Sequence, residues 1–464
     1  MASREEISLV SHLMRRAGYG ENRRNIEALA EQNYGDVVER LIEPGNEPRV
    51  DEYRMYRYHP INARYPKEAH WLYYMVNSTR QLEEKVTLFW HHVFATGTVK
   101  AGEYEMATQI ELFRKLGMGS YKNMLIAIAK SPAMIYWLDN NENHKREPNE
   151  NWGRELLELF SLGVGHYSED DVKACARAFT GWTSTIKLRG TAWGPVPSIF
   201  EYRPEDHDDG EKTFLGKTGE FNGEDIINII LKQPATSNFI ARHLYNFFVA
   251  DEPQVPAWPF KNPRDPDAVE ILAQTLVEND YEIKPVLRIL FNSSFFKEAL
   301  YQKVRSPAEV VANTLRFVDD MRGPDPRWGE MPLETGYMGQ ILMDPPSVEG
   351  WHTGKEWINS GAFINRVNFV ADRIKDITLP GIQDVIRRIS ESNGSAMSPS
   401  ELVDQCLDMM GPLTVDPETH DELLEQAGYS APISWSSKEE YAASSRLVSD
   451  IMALIAGTRE YQMG

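Results

Sequence analysis

Helix-start and helix-stop signals recur along this chain, and they constrain its fold more than any other feature of the sequence. Ser3 and Glu6 have the form of a capping box, and apolar residues at helical spacing follow them. Ser168 begins a similar run, and Gly163 stands where an earlier run ends. The same periodicity predicts helices over residues 24–31, 34–42, 69–76, 79–94, 103–116, 121–130, 151–162, 168–179, 224–231, 236–249, 268–278, 283–291, 307–318, 363–374, 382–389, 400–410 and 439–455. The sequence therefore predicts a mainly α fold with a large globular core of many helices.

Residues 183–221 depart from this helical pattern. Polar and apolar residues alternate over residues 185–189 and 198–202, and glycine and proline surround both stretches. Alternation bounded by turn residues is typical of β-hairpins, so we predict a small β-hairpin or loop insertion that covers the core as a flap. Beyond about residue 380 the chain becomes polar and acidic. We therefore expect a core domain over residues 1–370 and a helical extension over residues 371–464 packed on it.

Charge and hydropathy exclude several kinds of partner. The chain carries 69 acidic and 49 basic residues, a formal net charge of -20. A field of this sign repels phosphate backbones, so nucleic acid is not an expected partner. The amino terminus has charged residues where a signal peptide needs an apolar run, and no later stretch has the length and apolar character of a spanning helix. We expect no membrane insertion, and a cytoplasmic protein as the chain is written or an exported one if it is a processed form.

Residue counts and missing motifs exclude further site chemistries. Cys175 and Cys406 are the two cysteines, so the chain can hold neither a disulfide framework nor a zinc site built from cysteines. Glycine-rich phosphate loops, the nucleophile elbow and the His-Glu-x-x-His zinc motif are also missing from the sequence. Nucleotide binding, serine-hydrolase chemistry and zincin chemistry therefore lack support in the sequence.

One candidate for catalysis is a histidine inside an apolar helix. His91 and His92 lie together in the predicted helix 79–94. Neighbouring helical positions point about 100° apart, so at most one of the two can face a given metal ion. A core histidine bonded to a backbone carbonyl is the structural alternative.

A second candidate is a pair of carboxylates. Glu155 and Glu158 share one face of the predicted helix 151–162, whose other sides are rich in leucine. Buried carboxylates are costly unless they meet a partner such as Arg154, Arg177, a histidine or a metal ion. Paired carboxylates in a dry site are suited to general acid/base catalysis, although structural ion pairing fits the same pattern.

Loops and tryptophans supply the remaining candidates. His207 has acidic neighbours, including Asp208, and the set could ligate a metal ion or act as a carboxylate-oriented base; a solvated acidic turn is the alternative. Trp351 follows a rigid proline turn, and with Trp90 and Trp182 it is a candidate for binding a substrate ring. Aromatic packing between helices would explain the same tryptophans.

Several of these segments together resemble a bacterial family of uncharacterised proteins, domain of unknown function 1800. The matching stretches are residues 12–20 (HLMRRAGYG), 84–91 (EKVTLFWH), 149–160 (NENWGRELLELF), 167–172 (YSEDDV), 179–182 (FTGW), 207–208 (HD) and 345–351 (PPSVEGW). The resemblance extends over about residues 8–370 and implies a mainly helical fold. Members of that family often carry Trp-His-Asn-His-Phe where this chain has residues 90–94 (WHHVF), so Val93 replaces a second histidine and His91 becomes the better candidate.

The leading functional hypothesis is an enzyme that performs acid/base hydrolysis or elimination on a small, carbohydrate-like or other polar substrate. Glu155 or Glu158 would act as acid or base with His91 as partner, Arg154 or Arg177 would hold an anionic group, and Trp351 would line the ligand. The site would form where His91, the two glutamates and His207 converge, under the flap 183–221.

Two other hypotheses remain open. In the first, the protein is a metal-dependent oxidoreductase in which His91, Glu155, Glu158 and His207 bind a divalent or transition metal ion inside a helix bundle. In the second, it is a non-catalytic binding or assembly module whose buried polar residues only fix the packing of the core.

Overall fold

A computed structural model describes residues 2–58, 66–186, 196, 198–392, 396–428 and 433–464. Its α-helices are α1 (Arg4–Arg16), α2 (Arg23–Ala30), α3 (Tyr34–Ile42), α4 (Glu52–Tyr58), α5 (Pro66–Asn77), α6 (Gln81–Val93), α7 (Thr98–Ala101), α8 (Glu103–Leu116), α9 (Tyr121–Ala129), α10 (Pro132–Trp137), α11 (Asn151–Glu158), α12 (Glu169–Ala178), α13 (Gly223–Ile230), α14 (Pro234–Phe248), α15 (Pro266–Glu278), α16 (Ile283–Asn292), α17 (Ser294–Lys297), α18 (Pro307–Phe317), α19 (Met331–Tyr337), α20 (Ser360–Ile374), α21 (Pro380–Ser392), α22 (Pro399–Met409), α23 (Pro417–Ala427), α24 (Lys438–Ile455) and α25 (Arg459–Gln462). Short 3-10 helices cover Asn140–Glu142, Pro204–Asp206, Val255–Phe260, Pro326–Gly329 and Gly354–Ile358. The predicted mainly α fold is confirmed.

The predicted helix boundaries follow local capping chemistry. Ser3 and Glu6 form the capping box at the start of α1, with the Ser3 amide 2.7 Å from the Glu6 carboxylate. Ser168 and Asp171 form another at α12. The predicted helix 151–162 is too long, since α11 ends at Glu158. Helices α4, α7, α10, α17, α19, α23 and α25 were not predicted.

The strands are short and form three two-stranded antiparallel sheets in the described residues. They are β1 (Trp182–Thr185), β2 (Ile199–Tyr202), β3 (Lys212–Phe214), β4 (Lys217–Gly219), β5 (Ala396–Met397) and β6 (Ile433–Ser434). Strand β1 pairs with β2, and β3 pairs with β4, so the predicted small β-hairpin insertion around residues 183–221 is confirmed, and it holds a second pair, β3–β4, beyond the two predicted strands. Residues 187–189 of the first predicted strand lie outside the described residues. The β5–β6 pair was not predicted, because strands of two residues carry no periodic signal.

The chain divides into two compact units. Unit 1 comprises Met1–Leu82, Phe291–Leu342 and Thr353–Gly464, and unit 2 comprises Glu83–Leu290 and Met343–His352. The predicted boundary at residue 370 falls inside α20, and the residues on both sides of it belong to unit 1. The two units are therefore built from segments that alternate along the chain, whereas the sequence pattern suggested two domains that follow one another.

Unit 1 is built around α18 and α24. Helix α18 packs against α5, α19 and α20, and α24 packs against α20, α22 and α23. Leu72, Val310, Leu315, Val370 and Met452 have no exposed surface. Burial of such apolar side chains is the main source of stability for a helical core, at about 25 cal/mol per Å².

Unit 2 is organised by aromatic packing. The Trp90 ring in α6 stacks on Phe94 at 5.4 Å and on Tyr121 of α9 at 5.8 Å, measured between ring centroids. Phe160 packs edge-on against Phe94 at 5.3 Å. This stack joins α6 and α9 to the end of α11, the helix that carries both candidate glutamates.

The structure also describes two features that the sequence analysis considered, membrane-spanning helices and the state of the two cysteines. In the described part of the chain, no helix combines the length and apolar character needed to cross a bilayer. Cys175 and Cys406 are buried and are not joined by a disulfide.

Candidate active site

Helix α11 carries the two glutamates that form the best candidate site. Leu156 is fully buried, whereas Glu155 and Glu158 are only partly buried. A β-carbon at Gly153 would lie 3.1 Å from the amide nitrogen of Ala176 in α12. Glycine is therefore required for α11 and α12 to pack this closely, and their contact holds the helix that positions the two carboxylates.

The chain reverses after α11 and brings a tyrosine to Glu158. The Phe160 amide donates to the Glu155 carbonyl at 3.0 Å, and Gly163 has a φ of 80°. This left-handed conformation favours glycine and lies in the reversal that follows the helix. The Tyr167 hydroxyl then donates a hydrogen bond to Oε2 of Glu158 at 2.7 Å. The reversal thus adds a phenol to the two carboxylates.

Like charges and burial change the acidity of Glu155. Burial and the charge of Glu158 raise the pKa of Glu155 to about 7, Arg154 opposes this shift, and Glu349 adds to it. Burial and the hydrogen bond to Glu158 also raise the pKa of Tyr167, which stays a neutral phenol. Glu155 therefore populates both its protonated and its ionised form near neutral pH, as a general acid or base must.

Arg154 is engaged mainly with other carboxylates. Its Nη1 and Nη2 atoms donate to Glu169 at 2.8 and 2.7 Å, and Nη2 also contacts Glu150 at 3.2 Å. These bonds hold the guanidinium at the start of α12. The predicted role of Arg154 as a binder of an anionic substrate group would require it to exchange these partners.

Glu158 stands on the wall of a cleft of about 1340 Å³ in unit 2. Polar side chains on the wall include Glu158, His166, Ser237, Asn238, Arg242 and Gln274, and apolar ones include Leu162, Phe239, Pro256, Trp258, Val269 and Val277. A concave, largely apolar pocket with a few polar groups is the usual form of a small-molecule site. None of the described residues of 183–221 lines the cleft, so the predicted roof over the site is not formed by the hairpins.

An indole ring is held in place on the cleft wall. Nε1 of Trp258 donates to the Pro253 carbonyl at 2.7 Å, and the Arg242 guanidinium lies 4.6 Å from the ring centroid. Arg242 in turn pairs with the buried carboxylate of Glu252 at 2.6 Å. Trp258 therefore offers the partly exposed aromatic surface that the sequence analysis assigned to other tryptophans.

Those other tryptophans are buried in unit 2. Trp90 has no exposed surface, and Trp182 and Trp351 are 5% and 3% exposed. Trp182 packs edge-on against Phe179 and Phe200. Burial leaves none of the three with a ring face for a ligand, because each ring fills space between elements of the fold.

His91 is sealed within the aromatic core. It is 0% exposed, and its ring centroid lies 5.2 Å from that of Trp351 and 6.4 Å from that of Phe113. Burial and the neighbouring His92 lower the pKa of His91 to about 3, so it is neutral at physiological pH. His91 does not line the cleft, and its predicted role as proton-transfer partner has no route to a ligand there.

The predicted His207 loop forms a separate, well-paired cluster. Nδ1 of His207 lies 2.9 Å from the Thr180 carbonyl, and Asp208 pairs with Nε of Arg177 at 2.7 Å. Arg177 also donates to the Glu211 carbonyl at 3.2 Å. These contacts tie the loop before β3 to the end of α12. Asp208 and Arg177 thus satisfy each other, which favours the structural interpretation of this loop.

The described residues contain no group of three or more His, Cys, Asp or Glu side chains that could hold a metal ion. His91, Glu155, Glu158 and His207 therefore do not assemble into the predicted ligand set. The physical reason lies in their separate packing: His91 sits among aromatic rings, and His207 is fixed at the end of α12.

Sequence reasoning missed Tyr167 and Trp258, although signals for both exist. Tyr167 follows the glycine-rich reversal after α11, and a residue just beyond such a turn returns to the helix end. Arg242 lies among buried apolar residues of its helix, such as Ile240 and Leu244, and a charge in that setting indicates a buried ion pair. Trp258 lies in a proline-rich stretch whose course depends on that pair, so its place on the wall could not be read locally.

The comparisons with known proteins identify a family without assigning a chemistry. The family described as "Protein of unknown function (DUF1800)" matches residues 12–463. The match also includes the region after residue 370 that the resemblance left uncovered. No curated protein and no solved structure matches the chain. Because the match spans nearly the whole sequence, the chain belongs to the DUF1800 family.

Proposed function

We propose that unit 2 is an acid/base enzyme in which Glu155 and Glu158 act on a substrate held in the adjoining cleft. The observation that carries this proposal is the position of Glu158: it lies on the cleft wall, accepts a hydrogen bond from Tyr167, and shares a helix face with a second carboxylate one turn away. In this proposal Glu158 is the fixed negative charge on the cleft wall, and Glu155, which is partly exposed but does not itself line the cleft, exchanges a proton with the substrate by way of a water molecule.

The asymmetry between the two carboxylates supports a division of roles. Tyr167 stabilises the charge on Glu158 by donating a hydrogen bond to it, and that charge helps raise the pKa of Glu155 to about 7. A carboxyl group whose pKa is raised by burial and by a neighbouring carboxylate is typical of acid/base sites. Glu155 would protonate a leaving group or remove a proton, and Glu158 would stabilise developing positive charge.

The cleft walls support a substrate with both polar and flat apolar surfaces. Trp258 offers aromatic surface, and Ser237, Asn238 and Gln274 offer hydrogen-bonding groups. Sugar rings combine hydroxyl edges with apolar faces that stack on indole rings. A carbohydrate-like substrate cleaved by hydrolysis or elimination therefore remains the reaction class we propose.

The test is turnover of a panel of 4-nitrophenyl glycosides by the full chain and by two variants. Glu155→Gln and Glu158→Gln should each lower kcat/KM by about 10²–10⁴-fold, the usual range for loss of a general acid or base. Glu147→Gln, at an exposed glutamate of the same unit, is the matched control and should retain activity.

Two results would overturn the proposal. One is turnover that survives both substitutions. The other is absence of turnover across the panel together with binding of the same glycosides in the cleft, measured by quenching of Trp258 fluorescence against a Trp258→Phe variant. That second result would identify the binding-module alternative.

A further inference from the structure

Unit 1 buries several arginines in one region. Arg16 and Arg366 have no exposed surface, and Arg305 is 2% exposed. Arg16 pairs with the Glu309 carboxylate at 3.0 Å. Glu309 also accepts the amide of Ser306 at the start of α18, so this carboxylate is already shared.

Arg305 and Arg366 donate their hydrogen bonds to neutral oxygens. Arg305 bonds Oδ1 of Asn313 at 2.8 Å and the Tyr461 carbonyl, and its guanidinium lies 4.4 Å from the Tyr461 ring centroid. Arg366 bonds Oε1 of Gln462 at 2.9 Å and the Arg305 carbonyl at 2.8 Å. Among the residues that the structure describes, neither guanidinium forms an ion pair. Two buried positive charges thus lack a carboxylate of their own.

The same two side chains also keep unused donors. Nε of Arg305 and Nη1 of Arg366 are buried, and no acceptor bonds them within the described part of the chain. A buried donor without an acceptor destabilises the fold, and it does so more strongly when it is charged. Burial and the nearby Arg305 lower the pKa of Arg366 to about 9, while Glu309 opposes the shift. Glu309, which already pairs with Arg16, is thus shared with Arg305 and Arg366.

A small cavity adjoins this region. It measures about 30 Å³, and its walls include Arg15, Arg23, Arg305, Asn313 and Tyr461, together with Glu21, whose carboxylate pairs with Arg316. A cavity of roughly 10–15 Å³ already admits a water molecule, so this one has space for a small ion but not for an organic ligand of ordinary size. Two guanidinium groups on one wall are well suited to an oxyanion, which they bind through parallel hydrogen bonds.

We propose that unit 1 binds one small inorganic oxyanion, of the phosphate or sulfate class, in the cavity between Arg15 and Arg305. The anion supplies the negative charge that Arg305 and Arg366 lack and accepts hydrogen bonds from the cavity wall. The site serves binding and not the acid/base reaction, and it stands independently of the function proposed for unit 2.

Equilibrium dialysis of the full chain against radiolabelled inorganic phosphate tests this site. Sodium chloride keeps the ionic strength constant, so general screening is excluded from the signal. We expect about one phosphate per chain, displaced by sulfate. Phenyl phosphate at the same concentration should not displace it, because the cavity has no room for the ring.

Variants at the cavity distinguish the site from nonspecific charge. Arg15→Gln removes one guanidinium and Arg305→Lys keeps the charge but removes the planar fork, and each should weaken phosphate binding at least about 10-fold. Arg24→Gln, at an exposed arginine of unit 1, is the matched control and should bind as the parent does. Circular dichroism checks that each variant is folded.

Three outcomes would overturn the inference. Phosphate binding no stronger than that of chloride would remove the site. Unchanged binding in both Arg15→Gln and folded Arg305→Lys would place the anion elsewhere. Displacement by phenyl phosphate would show that the ligand is a phosphate ester and that an inorganic ion is the wrong class.

Discussion

Two pairs of charged side chains in unit 2 each place one member on the cleft wall, Arg242 in one pair and Glu158 in the other, and the two pairs differ in charge. Arg242 and Glu252 carry opposite charges, lie 2.6 Å apart and are buried. Glu155 and Glu158 carry the same kind of group on one helix face, and burial together with the charge of Glu158 raises the pKa of Glu155. Arg242 and Glu252, the matched pair, hold the cleft wall in place. Glu155 and Glu158, the mismatched pair, leave Glu155 able to gain or lose a proton near neutral pH. Whether two neighbouring groups have opposite or like charges therefore indicates a structural role or the proposed catalytic role better than the residue types do.

Breaking the matched pair should have the largest effect. Glu252→Ala leaves the buried Arg242 guanidinium without its carboxylate, and we expect a loss of about 3–5 kcal/mol in the free energy of unfolding. Urea unfolding followed by circular dichroism measures this loss. The double variant Arg242→Met/Glu252→Leu should recover most of it, because no charge is then buried alone. A loss below about 1 kcal/mol for Glu252→Ala would contradict the assigned role of the pair.

The mismatched pair should instead make stability depend on pH. The pKa of Glu155 rises from 4.5 to about 7 on folding, so the folded state holds more protons than the unfolded state between these values. Stability contributed by this group is present below pH 4.5 and is lost as the pH rises through 7. Allowing for partial solvent exposure, we expect a loss of about 1–3 kcal/mol.

Urea unfolding at pH 5 and pH 8 checks this dependence. Glu155→Gln should remove the difference between the two conditions that this group causes, and the exposed-site variant Glu147→Gln should keep it. A Glu155→Gln variant with the same pH dependence as the parent would show that the carboxylate titrates normally.

The smallest effect is expected from removing the hydrogen bond between Tyr167 and Glu158. Tyr167→Phe removes one hydrogen bond to a partly buried carboxylate, and we expect a loss of about 1 kcal/mol near neutral pH. A double-mutant cycle with Glu158→Gln measures the coupling of the two groups. Strictly additive losses would mean that the 2.7 Å contact contributes nothing to stability.

Local signals in the sequence predict well where helices form, but they predict poorly which elements contact each other. The predicted helices 34–42 and 103–116 coincide with α3 and α8, because the apolar periodicity that defines them lies within the segments themselves. Short helices such as α7 and α17 were missed, since four residues cannot display a helical period. The third sheet was missed because β5 and β6 pair over a wide separation in sequence.

The candidate site was predictable only in part for the same reason. Helical spacing placed Glu155 and Glu158 together correctly, because both lie on one helix. The predicted convergence of His91 and His207 with them depended on packing between distant segments, and burial within an aromatic core is not encoded near His91 itself. Trp258 was overlooked in favour of Trp90, since a sequence shows that an indole is present but not whether it is covered.

The close approach of α11 and α12 at Gly153 has one more consequence. The Cys175 side chain lies against this contact, with its β-carbon 3.4 Å from where a β-carbon of residue 153 would stand. Burial raises the pKa of its thiol, which is therefore protonated and shielded from alkylating reagents. The rate at which a thiol reagent labels Cys175 would then report how often α11 and α12 separate transiently. It would measure local opening of the segment that carries Glu155.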